Sequence, residues 1–500
     1  MLRRLEEGRR EEFGLGGGGS VTVVVIGAGL VGTLTAREFC RRDCGVILID
    51  KGPDVGLGVS KANSGIVHAG YDDEPGTLRS QFCVPGNAQW SVLADELDID
   101  VQRIGSHVVA FRREELNALD ELLARGQANG VPGLRIMETA ELMEKEPHLN
   151  PSALASLWAP TAAVTEPWQL VIAATENALA NGLELRLGEE VIGFETLGGS
   201  LKAVVTTKGR IPCDAAVNAA GLWADRVANL AGDIAPPLTP RRGEYILLNK
   251  FTAHDLVNSV LFPVPSSLGK GMLVTPTVDK GILLGPTAEN LPRSLKEDRA
   301  TTAAGLDKVV ASARHMIPSL DLREAVKVFA GSRPESPGKD FWITVSPRWR
   351  GLVHAGALRS PGLTAAPALA GHLVELVEQT WGEGLHRRAD FNPRRKRIPS
   401  YLKNLSLEAL ERAIADDPAA GRVVCVCNKV TEKEVVEAVR RGARSLDGVK
   451  FRTRALFGEC QGGFCSHRIL HLVARELGVD EDKLDYGLDG SWVVKGKVRP

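Results

Sequence analysis

Four cysteines, a histidine between glycines and a glycine-spaced turn carry the reactive groups of this chain. Cys425-Val-Cys427 is followed further on by Cys460-Gln-Gly-Gly-Phe-Cys465. In a chain without an export signal, such a cluster points to a metal rather than to disulfides. Thiolates suit iron–sulfur clusters and zinc alike, and both stay open on spacing alone. His68 lies in Ser64-Gly65-Ile66-Val67-His68-Ala69-Gly70. Its imidazole titrates near neutrality when unperturbed, which suits a general base toward an alcohol. The alternative is a histidine that only hydrogen-bonds a cofactor or the backbone. Gly27-Ala28-Gly29-Leu30-Val31-Gly32 has the spacing G-x-G-x-x-G. The first glycine permits a tight turn, the second lets a pyrophosphate approach, and the third lets helix and strand pack closely.

That turn needs a strand before it and a helix after it. Val21 to Ile26 is a short apolar run, as expected of a parallel strand covered on both faces. The helix from Leu30 to about Arg41 points its amino end at the phosphates. Val46 to Ile49 forms the next strand. Asp50, with Lys51 beside it, stands where an acid binds a ribose hydroxyl. The unit therefore predicts a dinucleotide site. Ser60, Asn63, Ser64 and Gly65 follow in a small, polar segment able to wrap a cofactor with its amides. Two later stretches repeat the strand–glycine–helix order: Asn218-Ala219-Ala220-Gly221, and Gly356 to Thr364 with Ser360, Gly362 and Leu363. A helix from Ala365 to Gln379 follows the last, its amino end placed to stabilise negative charge. Helices are also expected over Gly76–Leu97, Arg113–Asn129 and from near Leu170 to Asn181. Short β-like runs separated by Pro and Gly fill 237–345, which suggests an inserted antiparallel sheet. Glu434 stands at capping-box distance from Thr431.

The 500 residues allow two to four domains. A 44% hydrophobic, 25% charged composition with net charge −1 describes a soluble globular protein with no general polyanion-binding surface, hence no nucleic-acid partner. No apolar run is long enough to cross a bilayer. Residues 1–20, with both charge signs and a glycine-rich end, read as a flexible tail and not a secretory signal. The expected location is cytoplasmic, with membrane association only through a partner. Cys40, Cys44, Cys83 and Cys213 are expected to be buried thiols. Arg394, Arg395, Lys396 and Arg397 lie in an expected linker, 391–419, where a solvated face is favoured over a docking patch.

The stretches VVVIGAGLVG with Asp50, SGIVHAGYDDEPGTL, AVNAAGLWADRVA, PRRGEYILL, GPTAEN, AGSRP and AGALRSPGLTAAPALA together resemble FAD-dependent oxidoreductases of the D-amino-acid-oxidase and glycerol-3-phosphate-dehydrogenase type, over about 21–385. The resemblance is nearest to glycerol-3-phosphate dehydrogenases and L-2-hydroxyglutarate oxidases. It implies an α/β fold, a Rossmann-type FAD-binding domain (21–390) with a substrate-domain insert at about 80–150 and 230–345. It also implies hydride transfer from a substrate C–H to the flavin. Asp50 departs from the Glu frequent in relatives. Arg333 in GSRP sits where relatives place a cation for an anionic substrate. Tyr245, Lys270 and Arg359 are weaker candidates for substrate contact. CVCNKVTEKEV and GARSLDGVKFRTRALFGECQGGFC resemble the bacterioferritin-associated-ferredoxin-like [2Fe–2S] domain, over 420–480, before a tail at 481–500. That resemblance makes Cys425, Cys427, Cys460 and Cys465 the ligands and favours iron over zinc.

A flavin takes two electrons while a [2Fe–2S] centre passes one at a time. The fusion therefore implies a dehydrogenase exporting electrons to a partner subunit or quinone, with glycerol-3-phosphate as the leading substrate. The alternatives are an L-2-hydroxy acid such as 2-hydroxyglutarate, an amine or imino acid, and a non-catalytic electron relay. The sequence leaves the oligomeric state open.

Overall fold

Thr22–Ile26 lies inside a six-stranded sheet of order Trp342–Val345, Leu352–Gly356, Ala215–Asn218, Thr22–Ile26, Gly45–Asp50, Glu184–Leu187. All neighbours are parallel except Trp342–Val345, which runs antiparallel at the edge. The structure is a computed structural model that describes residues 21–265, 271–381, 384–488 and 490–496. Alternation along the first strand divides its side chains between two cores. Val23 and Val25 join Leu48, Trp90, Leu170 and Leu373 under the helices. Val24 and Ile26 join Ile47, Leu201 and Val204 on the other face, covered by the small sheet Val191–Leu197, Ser200–Thr206, Gly209–Pro212. Burial on both faces is why the strand reads as an unbroken apolar run.

The helix Leu30–Phe39 packs against Pro167–Ala180 and Gly362–Trp381. Leu78–Leu97 falls within the span expected for the insert, yet it packs on Gly362–Trp381 of the nucleotide-binding part. Gly86 permits that approach, since a Cβ there would lie 2.2 Å from the Thr364 carbonyl oxygen. The helix after the third glycine turn also starts earlier than Ala365, so Thr364 sits in its first turn.

The second large sheet has nine strands and is antiparallel except at one place. Val260–Pro263 pairs in parallel with Ser106–Ala110, which corrects the wholly antiparallel expectation. These strands are far apart in sequence, so no hairpin constrains their direction. Its long central pair is Thr239–Leu248 with Ala325–Glu335, joined from Thr239 opposite Glu335 to Leu248 opposite Ala325.

Residues 391–397 are not a solvated linker. Arg395 pairs with Glu176 at 2.7 Å, and Arg397 pairs with Asp98 and Asp100 at 2.7 and 2.9 Å. Asn177 and Asn181 also bind the Asn392 carbonyl. The basic run is a strap over acids at two helix ends, and only Arg394 keeps a largely exposed pair, with Asp95.

The C-terminal domain packs the helices Glu432–Arg440, Leu446–Thr453 and Ser466–Leu477 around Val435, Val439, Leu446, Ile469 and Val473. Glu434 forms the expected capping box, accepting from the Thr431 amide at 2.8 Å. The span expected as a tail takes part in this fold: Leu484 is in the core, and the Tyr486 carbonyl accepts from the Asp447 amide at 2.7 Å. Among the described residues no helix is long and apolar enough to cross a membrane.

Candidate active site and cluster domain

The three glycines of the first turn do different work. Gly27 has φ +104°, and a Cβ there would lie 2.5 Å from the Ala219 carbonyl oxygen. A Cβ on Gly32 would lie 1.9 Å from the Gly27 oxygen. On Gly29 it would meet only the Ser60 hydroxyl, at 3.2 Å. The turn is therefore closed at Gly27 and Gly32 and open at Gly29, beside the amino end of the helix Leu30–Phe39. That opening and helix end fit a pyrophosphate. The Ser60 hydroxyl accepts from the Leu30 amide at 2.9 Å.

The Asp50 carboxylate accepts from the amides of Ala28 and Gly52, both at 2.7 Å. Burial pushes its pKa up, and the two amides oppose that shift. Lys51 lies 4.3 Å from the Trp223 ring and pairs with Glu297. These groups line a cavity of about 950 Å³ together with Ser60, Asn63, Ser64, Gly65, Ala220 and Gly221. Small residues, a helix amino end and the Asp50 carboxylate lining one cavity fit the adenosine and pyrophosphate parts of FAD. Asn63 fixes the wrapping segment, accepting from Gly65 N at 2.9 Å and donating to the carbonyls of Val59 and Ser60.

Beneath the second turn lies a buried polar chain that sequence reasoning missed. Asn218 Nδ2 lies 3.1 Å from His354 Nδ1, and His354 Nε2 lies 2.9 Å from Asp233 Oδ2. Burial lowers the His354 pKa despite Asp233. A neutral ring accepts from Asn218 and donates to Asp233, which holds the Asn218 amide oxygen toward Ala220 N at 3.3 Å. The three residues are too far apart in sequence to form a readable motif.

The third turn meets the wrapping segment at His68. Thr364 Oγ1 accepts from His68 N at 2.7 Å, Asn87 donates to the His68 carbonyl at 2.7 Å, and Ser360 Oγ lies 3.3 Å from His68 Nε2. The His68 ring lies 5.6 Å from that of Phe262 on the second sheet. Gly356 ends its strand against Trp342, whose ring a Cβ would approach to 2.7 Å. Ser360 and Thr364 thus meet His68, and Gly356, Ser360, Gly362, Leu363 and Thr364 are not among the walls of the main cavity.

Above the wrapping segment lies one face of the long strand pair. Tyr245, Gly243 and Arg241 alternate on it opposite Phe329, Gly331 and Arg333. Gly331 brings this face down onto the segment, since a Cβ there would lie 2.1 Å from the Ala62 oxygen. Tyr245 stacks on Phe329 at 4.8 Å and hydrogen-bonds Ser64; burial raises its pKa. Arg333 donates to the carbonyls of Thr287, Arg241 and Arg242 at 2.8, 3.3 and 3.4 Å. Among the described residues no carboxylate forms an ion pair with it. Burial lowers its pKa. Arg359 differs, being paired with Glu335 at 3.0 Å. Arg79 and Arg241 add charge within electrostatic reach of Arg359, and neither was singled out from sequence. Lys270 lies outside the described residues.

In the C-terminal domain the thiols form two pairs. Cys427 Sγ lies 3.8 Å from Cys460 Sγ, and Cys425 is hydrogen-bonded to Cys465. The Cys465 bond, helped by the amides of Asn428 and Leu456, lowers the Cys425 thiol to about 6. Amides of Phe464 and Gly462 point at Cys460. Two thiol pairs with backbone donors suit two irons sharing four thiolates. Among the described residues no group of three or more His, Cys, Asp or Glu side chains is drawn together around one metal position. Away from this site, burial raises Cys40, Cys44 and Cys213 to about 12, although Cys44 is only half-buried.

Comparison with known proteins follows this division. Residues 22–376 match the family model described as FAD dependent oxidoreductase, and residues 423–475 match the BFD-like [2Fe-2S] binding domain. A glycerol 3-phosphate dehydrogenase of Caloramator mitchellensis is 38% identical over 479 residues, 95% of this chain and 98% of that one. The structure of the L-alpha-glycerophosphate oxidase of Mycoplasma pneumoniae with FAD bound superposes with a TM-score of 0.70 at 30% identity. It covers 76% of this chain and 99% of that one. The human mitochondrial L-2-hydroxyglutarate dehydrogenase is 30% identical over 285 residues, 54% of this chain and 61% of that one.

Proposed function

The chain belongs to the FAD dependent oxidoreductase family, and from that premise we propose that it oxidises sn-glycerol 3-phosphate to dihydroxyacetone phosphate and exports the electrons through a [2Fe–2S] cluster. The observation that carries this reading is the similarity to the Caloramator mitchellensis glycerol 3-phosphate dehydrogenase, which extends across both domains.

FAD, held by Gly29, Leu30, Asp50 and the 60–65 segment, supplies a hydride acceptor. The chain's own residues bind and orient the substrate. Arg333, which forms no ion pair among the described residues, turns Nε and Nη2 to backbone carbonyls and takes the phosphate through Nη1. Tyr245 is locked by its stack on Phe329 and its bond to Ser64, so it limits where the substrate's carbon chain lies. His68, its backbone fixed by Thr364 and Asn87, takes the hydroxyl proton at Nε2. Ser360 orients that nitrogen. Phe262 keeps water from the same side of the ring.

A soluble cytoplasmic enzyme that delivers electrons to a partner subunit or quinone system accommodates both domains. The second reading is an L-2-hydroxyglutarate dehydrogenase, favoured by the similarity to the human enzyme, which covers 54% of this chain. Anaerobic mixing of the oxidised holoenzyme with each compound separates the two. Bleaching of the flavin by sn-glycerol 3-phosphate supports the first reading. Bleaching by L-2-hydroxyglutarate alone overturns it.

A further inference from the structure

The two cofactor regions share a wall. Lys450, Phe451, Arg454, Phe457 and Tyr486 of the C-terminal domain line the same cavity as Gly29 and Ser60. The contact is held by charge. Arg452, its side chain 6% exposed, donates to both oxygens of Asp54 at 2.7 and 2.9 Å. Asp54 lies in the loop that follows Asp50. Gly448 allows the approach, since a Cβ there would come 3.0 Å from Asp54 Oδ2. Lys61 pairs with Asp447 at 3.0 Å, Lys250 donates to Asn428 at 2.7 Å, and Asn249 donates to Glu459 at 2.7 Å. Arg454 pairs with Glu166 and Asp279. Each pair joins the C-terminal domain to one of the two large sheets' domains. Losing one partner of a buried pair leaves the other charge desolvated and uncompensated.

Contact is continuous from the wrapping segment to the thiols. Thr165 N donates to the Gly65 oxygen at 2.8 Å. Trp168, three residues on, stacks on Phe457 with ring centres 5.4 Å apart and planes 18° apart. Phe457 leads through Gly458 and Glu459 to Cys460, and Gly458 packs so tightly on Cys427 that a Cβ would lie 2.2 Å from its own.

We propose that the C-terminal domain is docked as a fixed wall of the FAD cavity, latched by Arg452 and Asp54, and that the Trp168–Phe457 stack is the crossing between the flavin site and the cysteine cluster. The direction of electron flow rests on the proposed function; the wall and its latch do not. Across the stack, reduced FAD gives up two electrons in two single transfers and releases two protons, returning to its oxidised form. Each transfer reduces the cluster by one electron, and a one-electron acceptor such as ferricyanide reoxidises it.

The test uses the holoenzyme with Arg452→Gln and Phe457→Leu. FAD release on dilution is followed by flavin fluorescence, with iron content and Tm as folding controls. Arg452→Gln is expected to release FAD about tenfold faster. In anaerobic stopped-flow with sn-glycerol 3-phosphate, cluster bleaching in Phe457→Leu slows about tenfold relative to flavin bleaching in the same protein. FAD release from Arg452→Gln at the wild-type rate overturns the latch. Cluster bleaching at the wild-type rate in Phe457→Leu overturns the crossing. If Arg452→Gln does not fold, Asp447→Asn tests the same wall by the same release measurement. If sn-glycerol 3-phosphate leaves the wild-type flavin oxidised, the substrate reading fails while FAD release still decides the latch.

Discussion

Placing a methyl at Gly32 and at Gly29 separates the turn's structural role from its ligand role. At Gly32 the added Cβ lies 1.9 Å from the Gly27 oxygen and 3.1 Å from its carbonyl carbon, where real contacts do not fall below 3.0 Å. Helix and strand must part by about 1 Å, and both neighbours are backbone. Overpacking costs about 1–3 kcal/mol, and this site belongs at the upper end. Gly32→Ala should lower the Tm of the apoprotein by about 3–4 °C. It should also weaken FAD binding by about 10–100-fold, because the displaced helix end is the phosphate site. Gly29→Ala meets only the Ser60 hydroxyl at 3.2 Å. The apoprotein should change by less than about 1 kcal/mol, while FAD affinity falls by about 30-fold or more. Differential scanning calorimetry of the apoproteins and FAD titration by fluorescence quenching read the two effects. Wild-type FAD affinity in Gly29→Ala, or an unchanged apoprotein Tm in Gly32→Ala, refutes the reasoning.

Arg333→Ala should raise the KM for sn-glycerol 3-phosphate by about 10–100-fold, as expected for a charge-assisted pair, with FAD content unchanged; parallel loss of FAD would make Arg333 an anchor for its three carbonyls instead. Glu434 offers a pH test. Burial raises its pKa to about 7 from 4.5, against the opposing Thr431 bonds. The folded state then keeps the proton where the unfolded chain has lost it. Stability falls as pH rises from 4.5 to about 7 and is level above. Glu434→Gln retains an oxygen for the Thr431 amide and should flatten this slope, as thermal unfolding at about pH 5 and about pH 8 would show; an unchanged slope would assign it to other groups.

What the sequence made legible was local. The first turn could be read because its glycine spacing, its apolar strand and Asp50 lie within one short unit. The capping box at Thr431 and Glu434 is shorter still. Arg333 and Tyr245 were singled out by resemblance, but their shared face depends on pairing Thr239–Leu248 with Ala325–Glu335, which no local pattern specifies. The parallel pairing of Val260–Pro263 with Ser106–Ala110 was hidden for the same reason. Asn218 was read only as part of a turn; its bond to His354, and through that ring to Asp233, depends on pairing Ala215–Asn218 with Leu352–Gly356. The basic run at 394–397 was read as solvated because its acids lie far off in sequence, Asp98 and Asp100 just past the helix Leu78–Leu97 and Glu176 in the helix Pro167–Ala180. The largest gap is the docking of the C-terminal domain. Asp54 and Arg452 are 398 residues apart, and nothing in either neighbourhood names the other.

Electron export is tested most directly by EPR of the holoenzyme reduced with sn-glycerol 3-phosphate in the absence of oxygen. The account predicts a bleached flavin together with the signal of a reduced [2Fe–2S] cluster, with iron in the sample to match. A bleached flavin with no cluster signal, and zinc as the only metal found, would contradict it.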